Sequence, residues 1–309
     1  MLDPLLLIPL FAGIGLASLL FGSSGDEIGV GTEGEDTIVR AGGDDLIDAQ
    51  MGADNVIAGA GNDTVNGGPG QDIIFGEEGD DEINGQEWSD VIIGGDGDDT
   101  LIGETGADQI DGGAGDDSID GGTWADVLVG GDGADTLEGG IGNDELHAGL
   151  VLEGDYDFEA AIAFEEAIRE GQDITPDPAD FPELVAVHDT DVDILSGGSG
   201  ADTLALGAGD IGSGGDGYDT FELHFDPALG DNPAPTQITD YEPGRDRIEV
   251  SYLEGNERPL VTVLDDTESF GALVFANGIV IAQIAGVAAT DVTLGNADIS
   301  YTLSQATTA

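Results

Sequence analysis

The chain has 309 residues and a formal net charge of −61, with 66 acidic groups against five arginines, no lysine and no cysteine. That balance excludes nucleic acid and anionic membrane surfaces as natural partners, because both are held by clustered Lys or Arg. The lack of cysteine excludes disulfides and thiolate metal sites, so an extracellular chain of this kind needs another staple, and a divalent cation is the obvious one.

The first element is PLLLIPLFAGIGLASLLF, 18 uncharged residues from Pro4 to Phe21. This is just the length of a membrane span. It has no basic n-region and no A-x-A site after it, so it reads first as a tethering hydrophobic helix, with a signal peptide and a buried helix as the other readings.

From Gly31 to His147 the chain divides into thirteen consecutive nonapeptides without insertion or deletion, for example GTEGEDTIV, AGAGNDTVN, GGDGDDTLI and GGIGNDELH. Every unit has Asp at its sixth position: Asp36, Asp45, Asp54, Asp63, Asp72, Asp81, Asp90, Asp99, Asp108, Asp117, Asp126, Asp135 and Asp144. Every unit has Ile, Leu or Val at its eighth, and all but two have Gly at the fourth, where Trp88 and Trp124 stand instead.

One unit contains the physics of the whole. Small residues let the backbone turn with positive φ, Asp supplies a hard oxygen, and the x-U-x that follows is a short strand with its middle side chain inward. Two units make one turn of a flattened coil, so loops two repeats apart stack along one edge. A single buried aliphatic per nine residues does not offset the entropy of ordering those residues, and stacked carboxylates repel one another. An ion must bind between the loops, and oxygen-only donors in Gly-rich turns suit Ca²⁺. Folding is then coupled to metal binding.

The two edges differ. Loops opening at 40, 58, 76, 94, 112 and 130 keep Gly at position four and carry Asp44, Asn62, Asp80, Asp98, Asp116 and Ala134 at position five. Loops opening at 31, 49, 67, 85, 103, 121 and 139 are less acidic and hold both tryptophans, which puts the metal gaps beside Trp88 and Trp124 in question. The two outward faces differ as well. The strands after the first set point mostly polar residues outward, whereas those after the second point out Ile57, Ile73, Phe75, Val91, Ile93, Val127 and Val129. A contiguous apolar patch of this kind marks a packing or partner face, with Trp88 and Trp124 expected at its margin.

Ala148 to Val187 interrupts the repeats. DYDFEAAIAFEEAIREG (Asp155 to Gly171) reads as an amphipathic helix and ITPDPADFPEL as a proline-rich loop; the helix is a candidate cover for the apolar face. The repeats return as HDTDVDILS, GGSGADTLA and GGDGYDTFE, while LGAGDIGS from Leu206 is degenerate and read as lacking the sixth-position Asp. From Leu223 onward TQITDYEP, RDRIEVSY, RPLVTVLDD and ALVFANGIVIAQIAGV read as antiparallel strands, with Asn277-Gly278 as a type I′ turn.

These nonapeptides resemble the G-G-x-G-x-D-x-U-x repeat of the RTX (repeats-in-toxin, hemolysin-type) calcium-binding family. The resemblance implies a parallel β-roll with several Ca²⁺ ions held between loops by the sixth-position Asp and loop carbonyls, and it adds Asp193, Asp202 and Asp219 to the ligands. It also implies that the C-terminal region caps the roll and carries an uncleaved type I secretion signal. The expected architecture is therefore all-β, a parallel β-roll (β-solenoid). It comprises a hydrophobic helix over 1–22, the roll over 23–147, a helical insertion and Pro-rich loop over 148–187, further repeats over 188–222 and an antiparallel β-rich cap over 223–309.

No catalytic motif accompanies the repeats. There is no HExxH, no partnered G-x-S-x-G and no cysteine nucleophile, and His147, His188 and His224 are scattered. The expected function is that of a non-enzymatic, secreted or surface-displayed calcium-binding protein with a structural or adhesive role. Two alternatives stay open. One is a membrane-tethered subunit docking on a larger assembly through its apolar face. The other is a non-catalytic module of a secreted carbohydrate-active or hydrolytic enzyme.

Overall fold

A computed structural model describes residues 18–21, 24–149, 191–225, 234–253, 259–266, 271–295 and 300–301. Within them the chain winds as a flattened coil, each nonapeptide giving one short strand and one turn. Successive strands alternate between two sheets, one of 12 and one of 13 strands among the described residues. Neighbours within the roll are parallel and 18 residues apart, as in Ile38↔Val56 and Leu101↔Ile119. The core is the slot between the sheets. It is filled by the eighth-position side chains, among them Ile38, Ile74, Ile92, Leu128 and Leu146 from one sheet and Ile47, Ile83, Leu101 and Leu137 from the other.

The register extends beyond both ends of the thirteen units. Ser18–Phe21 is a strand, paired Ser18↔Asp36 and Leu20↔Ile38. This corrects the expected N-terminal helix over these four residues. Their hydrophobicity belongs to the nonapeptide pattern, with Leu20 at the eighth position of a unit that starts at Gly13. The remaining apolar run, 4–17, lies outside the described residues. No helix among the described residues is long and apolar enough to cross a membrane.

GSSGDEIGV from Gly22 is a further unit, with Glu27 in place of the sixth-position Asp and Gly29 in place of the aliphatic. Its strand, Ile28–Val30, pairs with Leu46–Asp48. The space that Gly29 leaves is taken by the guanidinium of Arg40, a side chain buried in the roll with its Nε 3.9 Å from Glu27 Oε2. A side chain at Gly29 has no room beside it.

The interruption leaves the coil unbroken. Thr136–Ile141 pairs directly with Ile194–Gly200, with Leu137 opposite Leu195, an offset of 58 residues. Subtracting the usual 18 leaves 40, so a 40-residue loop is inserted between two coils that stack as if it were absent. Glu145–Gly149 is one strand, which moves the start of the insertion from Ala148 to after Gly149. The predicted helix, Asp155 to Gly171, and the Pro-rich loop lie outside the described residues.

At the C-terminal end the expectation that all these strands are antiparallel is corrected in part. Thr236–Ile238 and Arg247–Leu253 run parallel and extend the two sheets of the roll. Only Val261–Asp266, Gly271–Ala276 and Ile279–Ala285 form an antiparallel meander. Its tight turn has Asn277 at φ 52° and Gly278 at φ 86°, both in the left-handed region that a type I′ turn requires. Val274, Ala276, Ala282 and Ile284 of the meander join the same buried core.

Candidate metal ladder

The sixth-position carboxylates form two columns, one along each edge of the roll. On the edge that carries the tryptophans, the Asp36 N–H donates to Asp54 Oδ1 at 2.7 Å. Asp54 N–H donates to Asp72 Oδ1, Asp72 to Asp90 and Asp90 to Asp108, each at 2.8 Å. The column then runs through Asp126, Asp144, Asp202 and Asp219. On the other edge it runs from Asp45 through Asp63, Asp81, Asp99, Asp117 and Asp135 to Asp193. All sixteen sequence-predicted carboxylates thus fall on the two ladders, and each is almost fully buried.

Oδ1 of each such side chain accepts the backbone N–H of the coil before it, and along most of the ladder the other oxygen is left over. Oδ2 of Asp45, Asp54, Asp63, Asp72, Asp81, Asp90, Asp99, Asp108, Asp117, Asp126, Asp144, Asp202 and Asp219 is buried with no hydrogen-bond partner. A buried anionic oxygen without a partner is costly, and a column of them requires a counter-charge. Burial drives the carboxyls up accordingly, to about 7 for Asp54, Asp72 and Asp81, about 8 for Asp117 and about 9 for Asp90, and neighbouring carboxylates add to the shift.

At several steps of the ladder a glycine packs closely against Oδ2 and against a carbonyl of the next coil. A methyl group placed on Gly94 would collide with Asp99 Oδ2 and with the carbonyl of Gly112 on the next coil. The same three-part cradle recurs at Gly112 with Asp117 and Gly130, and at Gly103 with Asp108 and Gly121. Among the described residues no group of three or more Asp, Glu or His side chains converges on one point. Each cradle instead combines a carboxylate with backbone carbonyls, an all-oxygen donor set of the kind a hard cation such as Ca²⁺ takes. These residues fit the ion.

Sequence reading missed the carboxylates at the C-terminal ends of the columns. Asp210, in the stretch read as lacking its aspartate, is buried and accepts the Asp193 N–H at 3.2 Å. The loop before it is one residue short, so the spacing falls to 17 and the Asp leaves the nonapeptide register. Asp246, 27 residues beyond Asp219, accepts the Asp219 N–H at 3.1 Å. Both differ from the ladder in one respect. Oδ2 of Asp210 accepts the Gly207 N–H at 2.5 Å, and Oδ2 of Asp246 accepts the Glu242 N–H at 2.6 Å. At the N-terminal end, Asp36 Oδ2 likewise accepts the N–H of Thr32. At these ends of the stack a backbone amide engages the second carboxylate oxygen.

A model of the RTX calcium-binding nonapeptide repeat matches residues 21–56, 49–83, 93–123, 120–150 and 189–221. The chain belongs to the RTX calcium-binding repeat family. Among solved structures, this RTX chain is similar to the AlgE6R3 subunit from the Azotobacter vinelandii mannuronan C5-epimerase, determined in solution. The identity is 22%, over 62% of this chain and 80% of that one, with a TM-score of 0.27. No curated protein matches the chain.

The residues expected on the apolar face divide into two groups. Ile57, Ile73, Phe75 and Val129 are buried, Val91, Ile93 and Val127 are half-buried, and Ile57, Ile73 and Phe75 form a second cluster with Val39 outside the main core. The opposite outward face, with Leu46, Thr64, Glu82, Thr100 and Thr136, is open to solvent. The tryptophans are not part of that packing. Trp88 is 65% and Trp124 71% exposed, and neither enters a buried cluster. Nor do they interrupt the metal ladder. Their backbones lie in the left-handed region, at φ 88° and 95°, and their N–H groups keep the inter-coil bonds to Thr105 and Ile141 at 2.7 Å. Only the side chain differs, and at that φ it points off the edge.

Proposed function

We propose that this RTX protein is a non-enzymatic calcium-binding scaffold, secreted or displayed at a cell surface, whose roll folds where Ca²⁺ reaches extracellular levels. The observation that carries the reading is the column of buried, unpartnered Oδ2 atoms facing backbone carbonyls on both edges. A chain with this many buried carboxylates is a folded object only when their charge is neutralised. The role that follows is structural or adhesive: a rigid rod, stiffened by metal, that holds its surface in a fixed geometry.

One observation favours this reading over docking through the apolar face. Docking through the apolar face requires that face to be free, and Ile57, Ile73 and Phe75 are closed to solvent within the single chain. The C-terminal strands that extend the roll stand where the secretion signal of an RTX protein is expected, and export through that signal is part of the proposal.

The test is circular dichroism of the chelated chain titrated with Ca²⁺ at neutral pH. A cooperative gain of β-structure is expected; a spectrum unchanged by Ca²⁺ overturns the reading.

A further inference from the structure

The two tryptophans are left unexplained by the metal and by the core. Each occupies a position where φ is strongly positive, a region that costs a bulky residue strain and that glycine takes freely. Each exposes about two thirds of its surface or more. A strained backbone carrying an exposed aromatic ring contributes nothing evident to folding, which points to recognition.

Their placement is regular. The pairs Glu87↔Thr105 and Thr105↔Thr123 put positions 88, 106 and 124 on three successive coils of one edge. Position 106 is glycine, and a methyl there would strike the carbonyl of Trp88, so the slot between the rings is kept clear by the backbone itself. The two indoles are therefore fixed on a rigid frame two coils apart, about 9.6 Å along the roll.

The surrounding charge narrows the partner. The fifth positions beside the rings are the uncharged Ser89, Ala107 and Ala125, with Glu87 and Glu104 as exposed acids on the same edge, whereas the opposite edge exposes the column Asp44, Asp80, Asp98 and Asp116. A polycation is drawn to that other edge, and a net charge of −61 repels polyanions. What remains is an extended, uncharged polymer with flat apolar faces at a fixed repeat. In a β-1,4-linked pyranose chain successive rings are turned over, so the same face recurs at every second sugar, a spacing close to that between two coils.

We propose that Trp88 and Trp124 form a docking strip for a neutral β-1,4-linked polysaccharide, each indole stacking on one face of alternate sugar rings across the Gly106 slot. The inference rests on the calcium-folded scaffold proposed above, which holds the rings in place and supplies the adhesive role with a ligand class.

The chain has two tryptophans in all, so its indole emission reports this strip alone. The full chain, saturated with Ca²⁺ and checked for β-structure by circular dichroism, is titrated with cellohexaose and with chitohexaose. A saturable change in emission is expected with one of them, together with co-sedimentation on the matching insoluble polymer. Trp88→Gly and Trp124→Gly restore the repeat glycine, so each is expected to keep the Ca²⁺-dependent fold while weakening binding about tenfold or more, and the double variant to abolish it. A folded chain that binds neither sugar, or a double variant that still sediments with the polymer, overturns the proposal. So does a wild-type dimer in ultracentrifugation that the double variant loses, since the strip is then a self-association surface. A chain that gains no β-structure with Ca²⁺ overturns the calcium reading first, a result that dichroism separates from failed sugar binding.

Discussion

An aspartate in the middle of the ladder, such as Asp117, uses its two oxygens differently. Its Oδ1 accepts the backbone N–H of the Asp one coil earlier, and its Oδ2 is buried without a hydrogen-bond partner. Asp99→Asn keeps the volume and an acceptor oxygen but removes the charge. It is expected to lower the number of Ca²⁺ ions bound and to cost the calcium-loaded fold about 1–3 kcal/mol. Asp210→Asn is expected to leave the stoichiometry unchanged, because both oxygens of Asp210 are already engaged by N–H groups. Native mass spectrometry with thermal melts decides both, and an equal loss of ions in the two variants would show the distinction to be wrong. Gly97→Ala is destabilising for a different reason, since φ is +141° and the added methyl meets the carbonyl of Gly79. A loss of about 1–3 kcal/mol is expected in calcium. The sixth-position ladder was legible in the sequence because its spacing is invariant. Asp210 and Asp246 were not, because a shortened loop and a longer one carry them out of register while the coil still stacks them.

At the scale of the strand and its loop, two terms set stability. The apolar term is one side chain per unit, so Ile92→Ala, with neighbours above and below and nothing to fill the gap, is expected to cost about 2–5 kcal/mol. The electrostatic term depends on pH. Burial raises the ladder carboxyls above the value of about 3.9 they have in the unfolded chain, to about 6 for Asp63 and Asp126, 7 for Asp72 and 9 for Asp90. A raised carboxyl means the folded state binds more protons, so this contribution is full below about pH 4 and is lost as pH rises through 6 to 9. The metal-free roll is therefore expected to hold β-structure in acid and to lose it by pH 8, where Ca²⁺ restores it. Dichroism of the chelated chain at pH 4 and pH 8 checks the sign, and equal β-content at the two values contradicts it. The strand pattern misled at the N-terminus, where Ser18–Phe21 looked like the end of an apolar helix. Three consecutive apolar residues satisfy either period when they are read alone, and pairing with Asp36–Val39 decides for the strand.

For the whole molecule, the coil is a one-dimensional stack in which each unit contacts its neighbours. A loop of any length can leave between two units if the next unit returns to the same place, as it does after the 40-residue insertion. Deleting residues 150–189 is accordingly expected to preserve the Ca²⁺-induced dichroism of the roll, and its loss would show that the insertion takes part in folding. Closing one outward face and leaving the other open gives the rod two unlike sides, and the acidic and tryptophan edges make its other two surfaces unlike as well.

The sequence by itself determined the repeat, the two-unit coil, the buried aliphatic column and the kind of ion the loops select, because each follows from chemistry repeated at a fixed spacing within nine residues. Only the tertiary structure decided what depends on stacking. It showed which carboxylate oxygens are spent on bonds between coils and which are not. It showed how far the ladders run past the regular repeats, and that Arg40 fills the space left by Gly29. It placed Trp88 and Trp124 in the open without breaking the ladder, because a left-handed backbone retains its inter-coil hydrogen bond and turns its side chain off the edge.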